Sequence, residues 1–480
     1  MKSDILPPGF KCLFIIAFLL LSGCKTAERT SYYIDTNKSL FPLENYSQSV
    51  DEWISPVLSD SNIPVMAKDN QNKYFSALLS KYYGMGKQGQ SPWNIYYISR
   101  VLKNKPERGL DASIRQYLSP KSLSWGENFR VNSEAWKQDI RNNSLNPIDK
   151  TYQVSSRAIS VRETKVRALP TDAPAFHNPQ NAGEGYPFDY LQMSAIRPGT
   201  PVYILTESMD KAWKYVISPS VTGWVKSDDI ATVSTEFVSE WTSLGLTNLG
   251  AFIKQPVSVN VGKQFYFIAR PGTILPFKNY QTGYFSAIIP VRNADGSASI
   301  KSVSLREDIF TGMPWQMTPM NIATLIKSMN GQPYGWGNTL FYNDCSSEIR
   351  SLMLPFGIYL PRNSAAQIKS TFRQVDLSDA SPQERLDYLA KYGQPFTTLV
   401  YIPGHIMLYI GNHLVNGKSV PMTYQNLWGL RPKDADSRSI IGSALFFPLL
   451  TMYPERPDLL SLADKAQFKL GFLGASEDTE

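Results

Sequence analysis

Gly331-Gln332-Pro333-Tyr334-Gly335-Trp336-Gly337-Asn338, a short loop, and then Asn343-Asp344-Cys345-Ser346-Ser347 form the stretch on which the reading of this chain turns. After it, Cys345, Ile349, Leu352 and Met353 recur at i, i+4, i+7 and i+8, which is one face of a helix. Pro355 predicts that this helix stops near Leu354. The glycine-rich run before Cys345 cannot continue a helix, so the cysteine falls in the first turn. There the positive end of the helix dipole favours a thiolate. Taken alone, Cys345 reads equally well as a small core residue, because free cysteine is among the most buried types.

The segments downstream shift that balance. Leu399 to Gly411 reads as one apolar strand carrying His405 and closed by Gly411 and Asn412. Met422 to Gly429 reads as the next strand and carries Gln425 and Asn426. A cysteine on a helix N-terminus, a histidine on one strand and an amide on the next is a papain-like layout. The imidazole takes the thiol proton, and the third group fixes its tautomer.

Three blocks in this order resemble the NlpC family of bacterial cell-wall cysteine peptidases: Asp344-Cys345-Ser346, Gly404-His405-Ile406-Met407-Leu408-Tyr409-Ile410-Gly411, and Asn426-Leu427-Trp428-Gly429-Leu430. Tyr334-Gly335-Trp336-Gly337 is similar to the loop that precedes the family's cysteine. The resemblance covers about the last third of the chain and implies Cys345 as nucleophile and His405 as base. Many relatives carry histidine just before Asn-x-Trp-Gly, where this chain has Gln425. A glutamine oxygen can accept from imidazole and fix its tautomer, though it stabilises imidazolium less than a carboxylate does. Strand alternation lets only one of Gln425 and Asn426 face His405, and Gln425 is assigned.

The same resemblance implies Asp344, Tyr190, Tyr334, Ser346 and Ser364 as substrate contacts. Asp344 is either a partner for the substrate's amine or the helix N-cap. Ser364 either lines the groove or caps a second helix, since Ser364 and Gln367 have capping-box spacing. Tyr190 either closes one end of the groove or buries its ring in a barrel core.

The chain has 480 residues, a length that calls for several domains, and a formal net charge of +7. No run of Lys and Arg marks a nucleic-acid footprint, so no nucleic-acid partner is expected. Its three histidines form no ligand cluster, and no phosphate loop or dinucleotide fingerprint is present. Neither a metal nor another cofactor is expected. Of the three cysteines, Cys12 and Cys24 lie in the extreme N-terminus, which leaves Cys345 alone in the folded part. Lys2 and Lys11, the apolar run from Cys12 to Leu21 and the small residues that follow form an export signal. Leu21-Ser22-Gly23-Cys24 resembles the bacterial lipoprotein box, which implies lipidation at Cys24. Lys25 in place of aspartate implies an outer-membrane anchor facing the periplasm.

The chain therefore divides as a signal peptide at 1–23, a tether at 24–42, a mainly helical clip-like segment at 43–150, a first barrel at 151–233, a second at 234–312 and the catalytic domain at 313–470. In the helical segment Gly84 is a C-cap, and Ser91 with Pro92 opens another helix. Gly199-Thr200-Pro201-Val202, Asp210-Lys211-Ala212-Trp213 and Gly223-Trp224-Val225 resemble bacterial SH3-like domains, and a diverged second unit runs from Thr235 to Val303. Thr318 caps the first catalytic helix. His177 and His413 read as surface residues, His413 in a hairpin turn.

The fold expected is thus multidomain: an α+β papain-like, NlpC-type catalytic domain after two SH3-like β-barrels and a helical segment. The resemblance implies a cysteine peptidase that cleaves between γ-D-glutamate and diaminopimelate in peptidoglycan stem peptides or muropeptides with a free N-terminal L-alanine. It would act as a monomer, held to the membrane through Cys24. The alternatives are an amidase or acyltransferase on the same Cys-His pair, or a non-catalytic peptidoglycan-binding lipoprotein.

Overall fold

The computed structural model describes residues 40–54, 62–415, 417–434 and 437–474. The signal peptide and Cys24 lie outside these. The tether expected up to residue 42 is shorter than that. Leu40 already bridges to Ile440 of the catalytic domain, and Phe41 is buried there among Phe447 and Tyr453.

The N-terminal segment holds α1 (Val50–Ile54), α2 (Lys68–Tyr83), α3 (Ile95–Lys103), α4 (Arg108–Leu118) and α5 (Glu134–Asn143). Each part packs on a different body. Trp53 and Ile54 join the catalytic core, Leu78 and Tyr83 the core of the second barrel, and Ile98, Leu102 and Leu110 that of the first. Gly84 caps α2, as its sequence predicts. The start of α3 differs from expectation. Its N-cap is Asn94, whose side chain accepts from the N–H of Tyr96 and Tyr97, while Ser91 Oγ donates to the Tyr82 carbonyl 2.9 Å away. Both residue types can cap; the turn at Pro92-Trp93, with Trp93 buried, moves the first helical residue on.

The first barrel is a seven-stranded sheet, β1 (Arg157–Ser160), β2 (Thr164–Arg167), β3 (Gln192–Ile196), β4 (Pro201–Glu207), β5 (Trp213–Ile217), β6 (Thr222–Lys226) and β7 (Ile230–Thr232), in the order β3-β2-β6-β5-β4-β1-β7. The second begins differently from expectation. Thr235–Thr247 is a helix, α6, capped by Ser234, with Phe237, Val238 and Trp241 on its buried face. Then come β8 (Leu249–Phe252), the hairpin β9 (Val257–Val261) and β10 (Gln264–Ala269), and β11 (Ile274–Gln281), β12 (Tyr284–Arg292), β13 (Ala298–Arg306) and β14 (Phe310–Gly312). The main sheet runs β13-β12-β11-β8-β14.

The catalytic domain packs α7 (Pro319–Met329, capped by Thr318 as predicted), α8 (Cys345–Met353), α9 (Ser364–Lys369) and α10 (Pro382–Tyr392) around a six-stranded sheet. Its strands are β15 (Arg373–Asp376), β16 (Thr398–Ile402), β17 (His405–Val415), β18 (Lys418–Leu430), β19 (Ser439–Pro448) and β20 (Lys469–Phe472), in the order β15-β20-β16-β17-β18-β19. The single strand read across Leu399–Gly411 is two. Pro403 and Gly404 turn the chain between β16 and β17, with Gly404 at φ +77°, a left-handed conformation that suits glycine. Gly411 and Asn412 do not end β17; pairing continues through Val415 past a bulge near Gly411. His413 therefore lies on the strand, half-buried, with its ring 5.0 Å from that of Trp53.

The first barrel is locked to the catalytic domain beside α8. Gln192 Nε2 donates to the Gly337 carbonyl at 2.9 Å, and Arg362 Nε to Ser194 Oγ at 2.7 Å. Tyr359 Oη donates to the Pro219 carbonyl at 2.6 Å. Glu163 pairs with Arg197 and with Arg270 of the second barrel, and Arg197 Nη2 in turn donates to Asn343 Oδ1 at 3.5 Å, so all three bodies meet just ahead of the cysteine helix.

Candidate active site

Cys345 opens α8, and Asp344 caps it. The Asp344 carboxylate accepts from the Ser347 N–H at 2.9 Å, while the Asp344 N–H donates to Ser347 Oγ at 2.8 Å, a reciprocal capping box. The same carboxylate accepts from Ser346 Oγ, the Gly337 N–H and, in a fork, both terminal nitrogens of Arg362 at 3.1 and 2.7 Å. Burial pushes this carboxyl up, but the Arg362 guanidinium and the capping donors outweigh it and hold it below the ordinary carboxylate value.

Cys345 Sγ lies 3.8 Å from the carbonyl oxygen of Gly404, the residue before His405. Nucleophile candidate and base candidate thus come to the same end of the sheet. His405 Nε2 stands 2.6 Å from Gln425 Oε1. The amide's orientation follows from its other end. Thr423 Oγ1 donates to the Phe447 carbonyl at 2.8 Å, so it can only accept from Gln425 Nε2, also at 2.8 Å. Gln425 must then offer its oxygen to the ring. That puts the proton on Nε2 and leaves Nδ1 as the basic nitrogen. Asn426 points the other way and donates to the Asn343 carbonyl at 3.0 Å, bracing the loop before the cysteine.

Burial opposes the thiolate that the helix dipole favours. Burial, followed by the nearby Asp344 charge, pushes the Cys345 thiol up to about 12, beyond what the backbone N–H groups of Ile406 and Ser346 recover. Burial also lowers His405 to about 4. Both shifts run toward the uncharged forms, against the thiolate–imidazolium pair.

Two cavities flank this pair. One, of about 490 Å³, is lined by Cys345, Asp344, Ser346, Arg362 and Ser364, and is walled by Tyr117 of α4 and Tyr190 of the first barrel. The other, of about 430 Å³, is lined by His405, Trp428, Arg431, Arg438 and Lys465. Tyr334 and Trp336 border both. Burial, then Cys345 and Asp344, hold the Tyr334 hydroxyl well above its ordinary value, so it remains a donor. Tyr190 is not in the barrel core; its ring stacks 3.7 Å from that of His177 and its hydroxyl donates to Glu184 at 3.0 Å. Ser364 does not cap α9 but begins it: Asn363 is the N-cap, and Gln367 Nε2 instead donates to the Ser346 and Pro361 carbonyls.

Sequence reasoning missed Arg362, two residues before Ser364. It also missed Thr423 and Tyr117. Nothing in their local patterns marks these two, because their roles depend on side chains far away in sequence.

Comparison with known proteins finds an SH3 domain of the SH3b1 type at residues 174–226 and one of the SH3b2 type at 234–279. A solved NlpC/P60 endopeptidase from Photobacterium damselae subsp. piscicida matches with a TM-score of 0.77 and 26% identity, over 92% of this chain and 99% of that one. An NlpC/P60 family protein from Bacillus cereus matches with a TM-score of 0.43 and 15% identity, over 64% of this chain and 98% of its own. No curated protein matches the sequence.

Proposed function

From a chain that carries two bacterial SH3 domains and closely matches an NlpC/P60 endopeptidase in structure, we propose a lipid-anchored cysteine peptidase that hydrolyses the γ-D-glutamyl–diaminopimelate bond of peptidoglycan stem peptides. The observation that carries this reading is the chain of hydrogen bonds Thr423–Gln425–His405 ending beside Cys345 on a helix N-terminus. The groove there is lined on its barrel side by Tyr117 and Tyr190.

In this reading the γ-carbonyl of D-glutamate lies over Cys345. As Sγ attacks, its proton passes to His405 Nδ1, while Gln425 keeps Nε2 protonated and the ring aligned. Charge develops on the carbonyl oxygen, and the backbone N–H groups of the first turn of α8 and the Tyr334 hydroxyl are the donors at hand. The imidazolium then gives its proton to the departing amine, leaving a thioester. Water, deprotonated by His405, attacks the thioester and releases the carboxylate and the thiol. Arg362 suits the free α-carboxylate of γ-D-glutamate. The free amine of an N-terminal L-alanine belongs on that side, with Asp344 as its charge and Tyr190, Ser346 and Ser364 around it. Lipidation at Cys24 would hold the enzyme at the outer membrane, facing the periplasm and its wall fragments.

The test is mass spectrometry of L-Ala-γ-D-Glu-diaminopimelate after incubation with the mature protein. The expected products are L-Ala-γ-D-Glu and free diaminopimelate, absent with Cys345→Ala. Transfer of the dipeptide to an added amine in preference to water would make the protein an acyltransferase. Retention on peptidoglycan with no change in fragment masses would leave it a binding protein.

A further inference from the structure

The cavity on the histidine side is not accounted for by the chemistry of bond cleavage. It contains His405, but the cysteine, Asp344 and Arg362 line only the opposite cavity. In the proposed reaction the imidazolium must hand its proton to the departing nitrogen, so the leaving group lies against His405 and extends into this cavity. Three cations converge there from separate segments: Arg431 at the end of β18, Arg438 ahead of β19, and Lys465 in the loop before β20. No carboxylate is among its described lining residues. Asp464, next to Lys465, is the acid whose field reaches that ammonium; burial, Arg431 and Arg438 together still hold it below its ordinary value. Arg438 also reaches the first barrel. A Cβ on Gly183 would stand 3.0 Å from the Arg438 Nε, which sets the guanidinium close against this edge of the barrel. The aromatic side of the cavity is Trp428 and Phe188, with rings 5.5 Å apart.

We infer that this cavity is an anion-accepting subsite for the leaving diamino acid: Arg431 and Lys465 take its side-chain carboxylate, and the Trp428–Phe188 wall takes its methylene stem. The inference rests on the peptidase reading above. It goes beyond that reading by making these two cations the residues that separate a diamino acid bearing a side-chain carboxylate from one that lacks it. A carboxylate entering this cavity meets the half-buried Lys465 beside the exposed Arg431, with no carboxylate among the described lining residues to compete for them, and such a pair discriminates by charge.

Two peptides test it: L-Ala-γ-D-Glu-diaminopimelate, and the same peptide with the diaminopimelate side-chain carboxylate converted to carboxamide. They have the same shape and differ by one charge. The unmutated enzyme should favour the carboxylate by about tenfold or more in kcat/KM. Arg431→Gln combined with Lys465→Gln should bring that ratio to within about threefold, mainly by raising KM for the carboxylate peptide. Arg431→Lys, which keeps the charge, should retain most of the preference, and thermal melting shows whether each variant is folded. Equal cleavage of both peptides by the unmutated enzyme, or an undiminished ratio in the folded double variant, would overturn the subsite and leave the peptidase. Cleavage of neither peptide by the unmutated enzyme would overturn the peptidase reading, and the subsite with it.

Discussion

Gln425 shows how one side chain can be correct in sequence and still depend on another that is invisible there. Its carbonyl faces His405 only because Thr423 has committed its proton to the Phe447 carbonyl. Thr423→Val keeps the shape and removes that acceptor, so the amide is free to turn its NH₂ toward the ring and disfavour the required tautomer. Turnover should fall by roughly ten- to a hundredfold, the usual cost of losing an outer-shell partner, with KM little changed. Gln425→Ala should cost at least as much, and His405→Ala more than either. A Thr423→Val enzyme with full kcat would mean that the ring is oriented without it. The thiol gives a second test. With Cys345 raised to about 12 and His405 lowered to about 4, both groups are biased to their uncharged forms near neutrality. The rate of alkylation of the free enzyme by iodoacetamide should therefore climb about tenfold per pH unit from 7 to 9 without a plateau. A plateau already reached below pH 7 would mean that a thiolate–imidazolium pair forms before substrate arrives.

Among the elements, α8 was the most legible and its surroundings the least. The apolar period from Cys345 to Met353 and the stop at Pro355 lie within one short window, and the helix ends where that window says. Helix α6 was hidden because its apolar residues were taken for the opening of a barrel. The β16–β17 turn was hidden because Pro403 and Gly404 sit inside an otherwise unbroken apolar run. Glu348 was hidden for a different reason. A charged residue on a helix is usually exposed, yet this one is buried against β18, where the Tyr424 hydroxyl and Asn343 Nδ2 donate to it. Burial raises its carboxyl from 4.5 to about 7. A folded value above the unfolded one means that the stability it contributes is complete below about pH 4.5 and is lost as pH rises through about 7. Glu348→Gln removes that dependence. The stability of the variant relative to the unmutated protein should therefore improve by up to about 3 kcal/mol between pH 4.5 and 8. Urea midpoints at the two pH values measure it. His405, depressed by burial, loses stability in the opposite sense as pH falls from 6.5 toward about 4. It is common to both proteins and cancels in the difference. A difference that does not change with pH would show that Glu348 carries no raised pKa.

At the scale of the whole molecule, the first barrel is part of the groove, and so is the N-terminal segment. Tyr190 and Met193 come from the barrel, Ser220 and Val221 from its β5–β6 turn, and Tyr117 from α4, and together they line the cavity that contains Cys345. The barrel reaches the catalytic loop as well: a Cβ on Gly337 would stand 2.1 Å from the Gln192 carbonyl oxygen, and Gln192 Nε2 holds the Gly337 carbonyl. In the proposed reading these side chains stand where a glycan strand or an extension of the peptide's amino end would meet them. Asp344 supplies a carboxylate in the same half of the groove; it is already forked to Arg362, so an ammonium there adds to an existing pair and gains charge complementarity that an acetylated end lacks. N-acetylation of L-Ala-γ-D-Glu-diaminopimelate should therefore lower kcat/KM by about tenfold or more, since it both removes the charge and lengthens the amino end. Replacing Tyr117 and Tyr190 together by alanine removes the wall but leaves Asp344, so it should recover the part of that loss due to length and leave the part due to charge. Asp344→Asn should act on the other part, by slowing the free-amine peptide more than the acetylated one. The ratio of the two peptides in each variant separates the contributions. Equal rates on free and acetylated peptide in the unmutated enzyme would mean that this side of the groove does not hold the substrate's amine, and the barrels would then be better regarded as modules that grip the intact wall.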